Sequence, residues 1–317
     1  GETMTEKQIM TDVLIVGAGT AGLTAAVYAA RAGKSVKLVE QYLQGGQIIN
    51  ASHVENFPGF ESIAGFEFAE ALYNQAIKMG AEIVYDKVTG LQDYGSHKGV
   101  QTEYGGELLA KAVILATGAR VRPLGLENED RFIGSGVSYC ATCDGAFYKD
   151  RTAVVVGGGN VAAEDAVFLS GICERVYLVH RRDALRADKA LQEKVFACEN
   201  IEMVWDSVPL EILGQDEVTG LKICNIKTNE ERELTAEGVF IAVGIVPNTT
   251  LVKDQLKLDE NGYICAGEEG VTSAPGVFAA GDIRTKALRQ IVTAVSDGAN
   301  AVASAQKYLW RKDNGND

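Results

Sequence analysis

The chain has 317 residues, 46% of them hydrophobic, with 35 glycines against 5 prolines and only 6 cysteines. That is enough apolar material for one or two cores, and the glycines point to tight turns rather than disorder. A formal net charge of −13 argues against a nucleic-acid surface, and no apolar run reaches the roughly 18 residues that a bilayer span needs. The polar opening GETMTEKQIMTD holds no apolar core of the kind a secretory leader uses, so a cytoplasmic protein is expected.

In chain order, Val13 to Val16 reads as a short buried parallel strand. Gly17, Gly19 and Gly22 follow as GxGxxG, then a helical pattern, then a second apolar run that ends at Val39 and Glu40. The pattern recurs: residues 12–41 align without a gap on residues 152–181. In the second copy Ala153 to Val156 form the strand, and Gly157, Gly159 and Ala162 form GxGxxA. The first glycine permits the tight turn, and the second lets backbone approach a pyrophosphate. The third small residue lets helix and strand pack closely, with the helix N-terminus facing the phosphates. Each copy therefore predicts a βαβ dinucleotide site.

The residue 23 positions after the first glycine separates the two ligands. Glu40 offers a carboxylate to ribose hydroxyls, which suits FAD or NAD. His180 takes that register in the second copy, followed by Arg181, Arg182 and, one predicted helical turn on, Arg186. No carboxylate repels a 2′-phosphate there, and three guanidiniums can bind one, which suits NADPH. Between the copies lies YCATCDGAFY, residues 139–148. Its Cys140 and Cys143 could grip a metal, staple a loop or pass electrons. No second CxxC completes a four-cysteine zinc site, and His53, His97 and His180 lie far from the pair in sequence. Cys173, Cys198, Cys224 and Cys265 are scattered singly and are expected as buried small hydrophobes.

VILATGAR (113–120) and VFIAVGIV (239–246) are apolar strands that end in glycine, so hinge strands are expected around Gly118 and from Gly244 to Asn248. GVFAAGDI (276–283) is a further strand, followed by a helical pattern from Leu288 to Leu309 and a tail, RKDNGND, expected to fray. The final segment is expected to rejoin the first domain, which makes the second an insertion.

Six motifs together resemble the low-molecular-weight bacterial thioredoxin reductases over residues of about 10 to 310: GAGTAGLTAAVYAARAG, GGQ with VENFPGF, ATGA, CATCDG, GGGN with HRRDALRA, and GVFAAGD with RQ. The resemblance implies an α/β fold of two Rossmann-like, three-layer ββα-type domains, with the NADPH domain (118–248) inserted into the FAD domain (1–117 and 249–317). Gly17, Gly19, Thr20, Gly22 and Glu40 would hold the adenosine diphosphate end of FAD, and Gly45, Gly46, Gln47 and Asn56 would approach the rest. Thr117 and Gly118 would border it, Gly281 and Asp282 would meet the ribitol-pyrophosphate, and Arg289 with Gln290 the isoalloxazine edge. Gly157, Gly159, Asn160, His180, Arg181, Arg182 and Arg186 would bind NADPH.

By the same resemblance Cys140 and Cys143 form a redox disulfide, with Cys143 facing the flavin and Cys140 exchanging with oxidised thioredoxin or a thioredoxin-like partner. Asp144 would be the nearby acid, or else an N-cap for the next segment. A CxxC at a helix N-terminus would lower a thiol pKa through the helix dipole. A homodimer is implied as well. Thr20 stands where the family often has proline, and DIRTKALRQ lacks the acidic and aromatic residues common between GD and RQ, which bears on contacts near Thr285 and Leu288. Competing readings are an electron-feeding subunit for a dedicated protein partner and a nucleotide sensor. The sensor would have no use for the two cysteines.

Overall fold

The computed structural model describes residues 9–51 and 53–315. The chain divides into two compact units, Gly1–Arg120 with Pro247–Asp317, and Val121–Val246.

The first unit opens with β1 (Thr11–Val16), α1 (Thr20–Arg31), β2 (Val36–Glu40), α2 (Gly65–Lys78), β3 (Glu82–Tyr85), β4 (Val88–Asp93), β5 (Lys98–Thr102) and β6 (Glu107–Leu115). The strands lie in the order β3-β2-β1-β6-β5-β4. β1 runs parallel to β2 and β6, while β4, β5 and β6 form an antiparallel extension. Side chains alternate across the sheet because successive Cβ atoms point to opposite faces. Val13 and Ile15 pack with α1, and Leu14 and Val16 pack on the other face. Both faces are covered, which is why the strand is an unbroken apolar run rather than an alternating one.

After β7 (Ala119–Val121), the second unit comprises β8 (Val137–Ser138), α3 (Ala141–Asp144), β9 (Thr152–Val156), α4 (Asn160–Ser170), β10 (Arg175–Val179), α5 (Lys189–Ala197), β11 (Ile201–Val204), β12 (Ser207–Gly214), β13 (Val218–Asn225), β14 (Glu231–Thr235) and β15 (Gly238–Ile241). A parallel sheet in the order β11-β10-β9-β15-β8 has helices on one face and the antiparallel β12-β13-β14 layer on the other. Ala153 and Val155 meet the helices, while Val154 and Val156 meet Ile212, Leu221 and Ile223 of the antiparallel layer. This is the three-layer ββα arrangement. The chain leaves through β16 (Ile245–Pro247), which pairs with β7.

β17 (Val277–Ala279) then joins β6 in parallel, and α6 (Ile291–Asp313) packs on α1. The contact is close because α6 presents glycine: a Cβ on Gly298 would lie 2.3 Å from the Ala21 carbonyl oxygen. α6 departs from expectation at both ends. It starts at Ile291 rather than Leu288 because Gln290 is its N-cap, in a capping box with Thr293. It also continues through Arg311, Lys312 and Asp313, which were expected to fray, and the Asn314 side chain donates to the Trp310 carbonyl at 2.7 Å. The last two residues of that tail lie outside the described residues.

Two further expectations are corrected. Residues 181–188 form a loop, with α5 starting only at Lys189, so Arg186 is not one helical turn past Arg182. Of the single cysteines only Cys173 is buried; Cys198, Cys224 and Cys265 are half-buried. The CxxC does stand at a helix N-terminus as expected: Cys140 is the N-cap of α3, and the chain runs on into a 3-10 turn at Gly145–Tyr148.

Candidate redox and nucleotide sites

The first dinucleotide turn is built by steric need. Gly17 has φ +104°, and a Cβ there would meet the Ala116 carbonyl oxygen at 2.3 Å. A Cβ on Gly22 would meet the Gly17 carbonyl oxygen at 1.8 Å, which is the helix-on-turn packing that the third small residue serves. Gly19 differs. It is the N-cap of α1 in extended backbone, and only the Gly46 Cα comes near its Cβ position, at 3.9 Å. Thr20 opens the helix, and its carbonyl accepts the Thr24 hydroxyl at 2.7 Å.

Glu40 stands at the end of β2, and its Oε2 accepts the Ala18 N–H at 2.8 Å while Oε1 accepts that of Tyr42 at 3.0 Å. A carboxylate has about four acceptor positions, so two remain for outside donors. The Gly45 N–H donates to the Ala18 carbonyl at 2.7 Å, which lays the Gly45–Gly46 loop against this turn. The Gln47 side chain donates to the Ala119 carbonyl, and Asn56 Nδ2 to Gln290 Oε1 at 3.1 Å. Thr117 is locked to Asn248 by reciprocal bonds of 2.8 Å that flank Gly118.

The segment after β17 brings in residues that the motif reading passed over. Gly281, at φ +88°, donates its N–H to Asp297 Oδ2 at 2.8 Å. Asp297 is 3% exposed and also accepts Arg284 Nε at 2.8 Å, Arg284 Nη2 at 2.7 Å and Lys286 Nζ at 2.8 Å. Burial alone would raise its carboxyl, but the bonds from Arg284 and Lys286 outweigh that and hold it below the usual range. Burial pushes the Asp282 carboxyl up, and its Oδ1 is buried with no hydrogen-bond partner among the described residues. Arg289 lies over the Tyr263 ring, 3.7 Å from the centroid, and donates to the Asp282 and Arg284 carbonyls. One signal was available in advance: Asp297 interrupts the apolar stripe of α6 that runs through Ala294, Ala301 and Ala305.

In the second unit the turn repeats. Gly157 has φ +149°, and a Cβ would meet the Ala242 carbonyl oxygen at 2.2 Å and the Ala162 Cβ at 2.8 Å. Gly159 is the extended N-cap of α4, with nothing within 4 Å of its Cβ position. Asn160 is turned to the loop: it exchanges bonds with the Asp188 carboxylate at 3.0 Å and the Asp188 N–H at 2.8 Å. His180 is 4% exposed and lies under the turn, where a Cβ on Gly158 would strike its ring. Burial, then the neighbouring arginines, depress its basicity, and its Nε2 has no partner among the described residues. The Arg186 and Ala187 N–H groups both donate to the Gly158 carbonyl, at 2.7 and 3.1 Å. Leu185 and Ala187 therefore point inward, and Arg181, Arg182 and Arg186 are exposed.

The cysteines lie in the same unit. Cys140 and Cys143 are joined by a disulfide. β8 leads into them from the edge of the parallel sheet, paired with Val239 and Phe240 of β15. The Asp144 N–H closes the turn on the Cys140 carbonyl at 3.1 Å. Gly145 then lets the chain settle on α4, since a Cβ there would lie 3.0 Å from Leu169 and Phe168. The Asp144 side chain makes no capping bond; its Oδ2 accepts the Ser138 hydroxyl at 2.6 Å. Burial raises the Asp144 carboxyl, and the Ser138 bond offsets part of the rise. Upstream, Glu129 is 2% exposed and accepts three backbone N–H groups, of Leu124, Gly125 and Leu126, plus the Tyr139 hydroxyl at 2.6 Å. Sequence reading had no signal for Ser138 or Glu129, because each matters through contacts that form only in the folded chain.

Comparison with known proteins agrees with this geometry. The sequence model of the family described as pyridine nucleotide-disulphide oxidoreductase matches residues 11–298. Thioredoxin reductase of Listeria monocytogenes is 43% identical over 307 residues, 96% of either chain. That of Treponema pallidum is 44% identical over 94% of this chain and 97% of its own. The crystal structure of thioredoxin reductase from Streptococcus pyogenes superposes with a TM-score of 0.91 at 45% identity, covering 96% of this chain and 99% of that one. Two dinucleotide turns, a CxxC disulfide and this likeness over nearly the whole length lead to one conclusion: the chain belongs to the pyridine nucleotide-disulphide oxidoreductases and, among them, to the thioredoxin reductases.

Proposed function

We propose that this enzyme moves electron pairs from NADPH, through FAD held by the first unit, to the Cys140–Cys143 disulfide, and from there to oxidised thioredoxin or a thioredoxin-like protein. The observation that carries the reading is the disulfide on the same unit as the second dinucleotide turn. The residues fit both cofactors. Asp282 Oδ1 is a buried acceptor in want of a donor, which a ribityl hydroxyl of FAD would supply. The open space over Gly159 and the exposed Arg181, Arg182 and Arg186 suit a pyrophosphate and a 2′-phosphate.

Bound FAD supplies a group that accepts hydride and then reduces sulfur, which bridges nicotinamide and disulfide chemistry. The chain's own residues do the rest. The Cys140 thiolate attacks the partner disulfide and releases one partner thiolate; Cys143 then attacks Cys140, which releases the second and restores the Cys140–Cys143 bond. Asp144 holds the proton that one sulfur takes on reduction.

NADPH and the disulfide both ride on the second unit, and neither can reach the flavin while the other is there. We propose that the units alternate about the β7–β16 ladder, with φ/ψ changes absorbed at Gly118 and Gly244. A crosslink fixing the two units tests this: locked enzyme that turns over at the normal rate rules it out. A cytoplasmic homodimer completes the proposal, supported by the family likeness and checked by sedimentation. Among the described residues no helix is long and apolar enough to cross a membrane. Anaerobic titration tests the activity itself. NADPH should bleach a bound flavin, and oxidised thioredoxin should restore its colour; a flavin that thioredoxin leaves reduced would refute it.

A further inference from the structure

We infer that the buried hydroxyl of Ser138 is a positioning group for the proton that Asp144 carries, and that it ties this carboxyl to the backbone of Cys140. The inference rests on the proposed role of Asp144 as the acid of the disulfide step. Ser138 ends β8 and is 4% exposed. Its Oγ lies 2.6 Å from Asp144 Oδ2, 3.1 Å from the Cys140 N–H donor and 3.2 Å from the Cys140 carbonyl oxygen.

A hydroxyl has one proton to give and two lone pairs to receive with. With Asp144 ionised, Ser138 donates to Oδ2 and accepts the Cys140 N–H. With Asp144 protonated, the carboxyl donates to Oγ, and the serine proton swings to the Cys140 carbonyl. Both states keep Ser138 Oγ, Asp144 Oδ2 and the Cys140 N–H paired in this half-buried cluster, so Asp144 can gain or lose a proton without stranding any of them. An alanine here offers neither partner, and the Cys140 N–H loses its acceptor as well.

The proton has a balanced place in the reaction. The electron pair that the proposed activity delivers breaks the Cys140–Cys143 bond; one sulfur takes the proton of Asp144, the other stays a thiolate, and Asp144 is left ionised. Ser138 then holds the new charge by donating to it. The titratable groups near Asp144 are the Tyr148 phenol of the next turn, whose proton is held by burial and then by Asp144 itself, and, once the disulfide is reduced, the two sulfurs of its own turn. α4, packed against this turn, carries Glu164 and Asp165.

The test is the pH profile of kcat for thioredoxin reduction by the FAD-loaded enzyme and its variants. Activity should fall on the alkaline side as Asp144 loses its proton, and Asp144→Asn should erase that limb. Ser138→Ala removes both bonds, and the one to the ionised carboxylate is the stronger because its acceptor is charged, so the limb should move up by about 1 pH unit. Ser138→Thr keeps the hydroxyl and should restore the original position, which a purely structural role would not require. If Ser138→Ala does not fold, Ser138→Cys, a weaker donor of similar shape, should move the limb in the same direction. A limb erased by Asp144→Asn but unmoved by both Ser138 variants overturns the inference alone. A limb that survives Asp144→Asn overturns the acid role and the inference with it.

Discussion

Gly159→Ala is the sharpest probe of the NADPH cradle, because the structure separates its effect on folding from its effect on binding. Gly159 has φ −91°, which any residue adopts, and no atom lies within 4 Å of its Cβ position. Alanine should therefore fit without strain and leave Tm within about 1 °C, the small surface-type change expected where nothing is touched. The same Cβ projects at the N-terminus of α4, where on the proposed reading backbone N–H groups would meet the pyrophosphate. Losing one such charge-assisted bond costs roughly 1.5–3 kcal/mol. That is about a 10- to 100-fold weaker Kd for NADPH. Gly157→Ala is the control with the opposite signature: at φ +149° and 2.2 Å from the Ala242 carbonyl oxygen, it should lower Tm clearly. Calorimetry gives Tm, and equilibrium titration with NADP⁺ gives Kd. Normal binding by Gly159→Ala, or a fall in Tm matching that of Gly157→Ala, would refute the cradle.

Arg181→Ala with Arg182→Ala should raise the KM for NADPH and leave that for NADH almost unchanged; equal losses would show that these side chains do not read the 2′-phosphate. Asp297→Asn leaves Arg284 and Lys286 buried without their carboxylate, a loss of about 3–5 kcal/mol. Tm and flavin retention should both fall in this variant, and a thermogram like that of the parent would contradict the buried network. Asp165, on α4, has its carboxyl raised by burial, then by Glu164, from 3.8 to about 7. A carboxyl with a raised folded value stabilises most below its unfolded value, so stability should decline as pH rises from about 4 to about 7. Asp165→Asn should flatten that slope in pH-dependent denaturation, and an unchanged slope would assign it elsewhere.

The parts of this architecture that were legible in advance are those enforced by local sterics. Gly17 and Gly157 must be glycine because a carbonyl at the end of the neighbouring strand leaves no room for a Cβ, and that need shows in any alignment of one half on the other. The strand runs were legible because both sheet faces are buried. What was not legible depends on partners distant in sequence or on a loop's course. Asn160 exchanges bonds with Asp188, 28 residues on, a pairing that only the course of the loop creates. His180 held the expected register yet went beneath the turn, because Gly158 leaves space for its ring. The Arg284–Asp297–Lys286 group needs α6 laid beside the Gly281 turn, which periodicity alone does not place.

The most direct measurement is stopped-flow reduction of Cys143→Ser, loaded with FAD and mixed with NADPH in the presence of oxidised thioredoxin. The flavin should bleach at a rate close to that of the parent, since hydride transfer involves only nicotinamide and flavin, and no thioredoxin thiol should appear. Thioredoxin reduced at the parent rate by this variant would contradict the claim that the electrons pass through the Cys140–Cys143 disulfide.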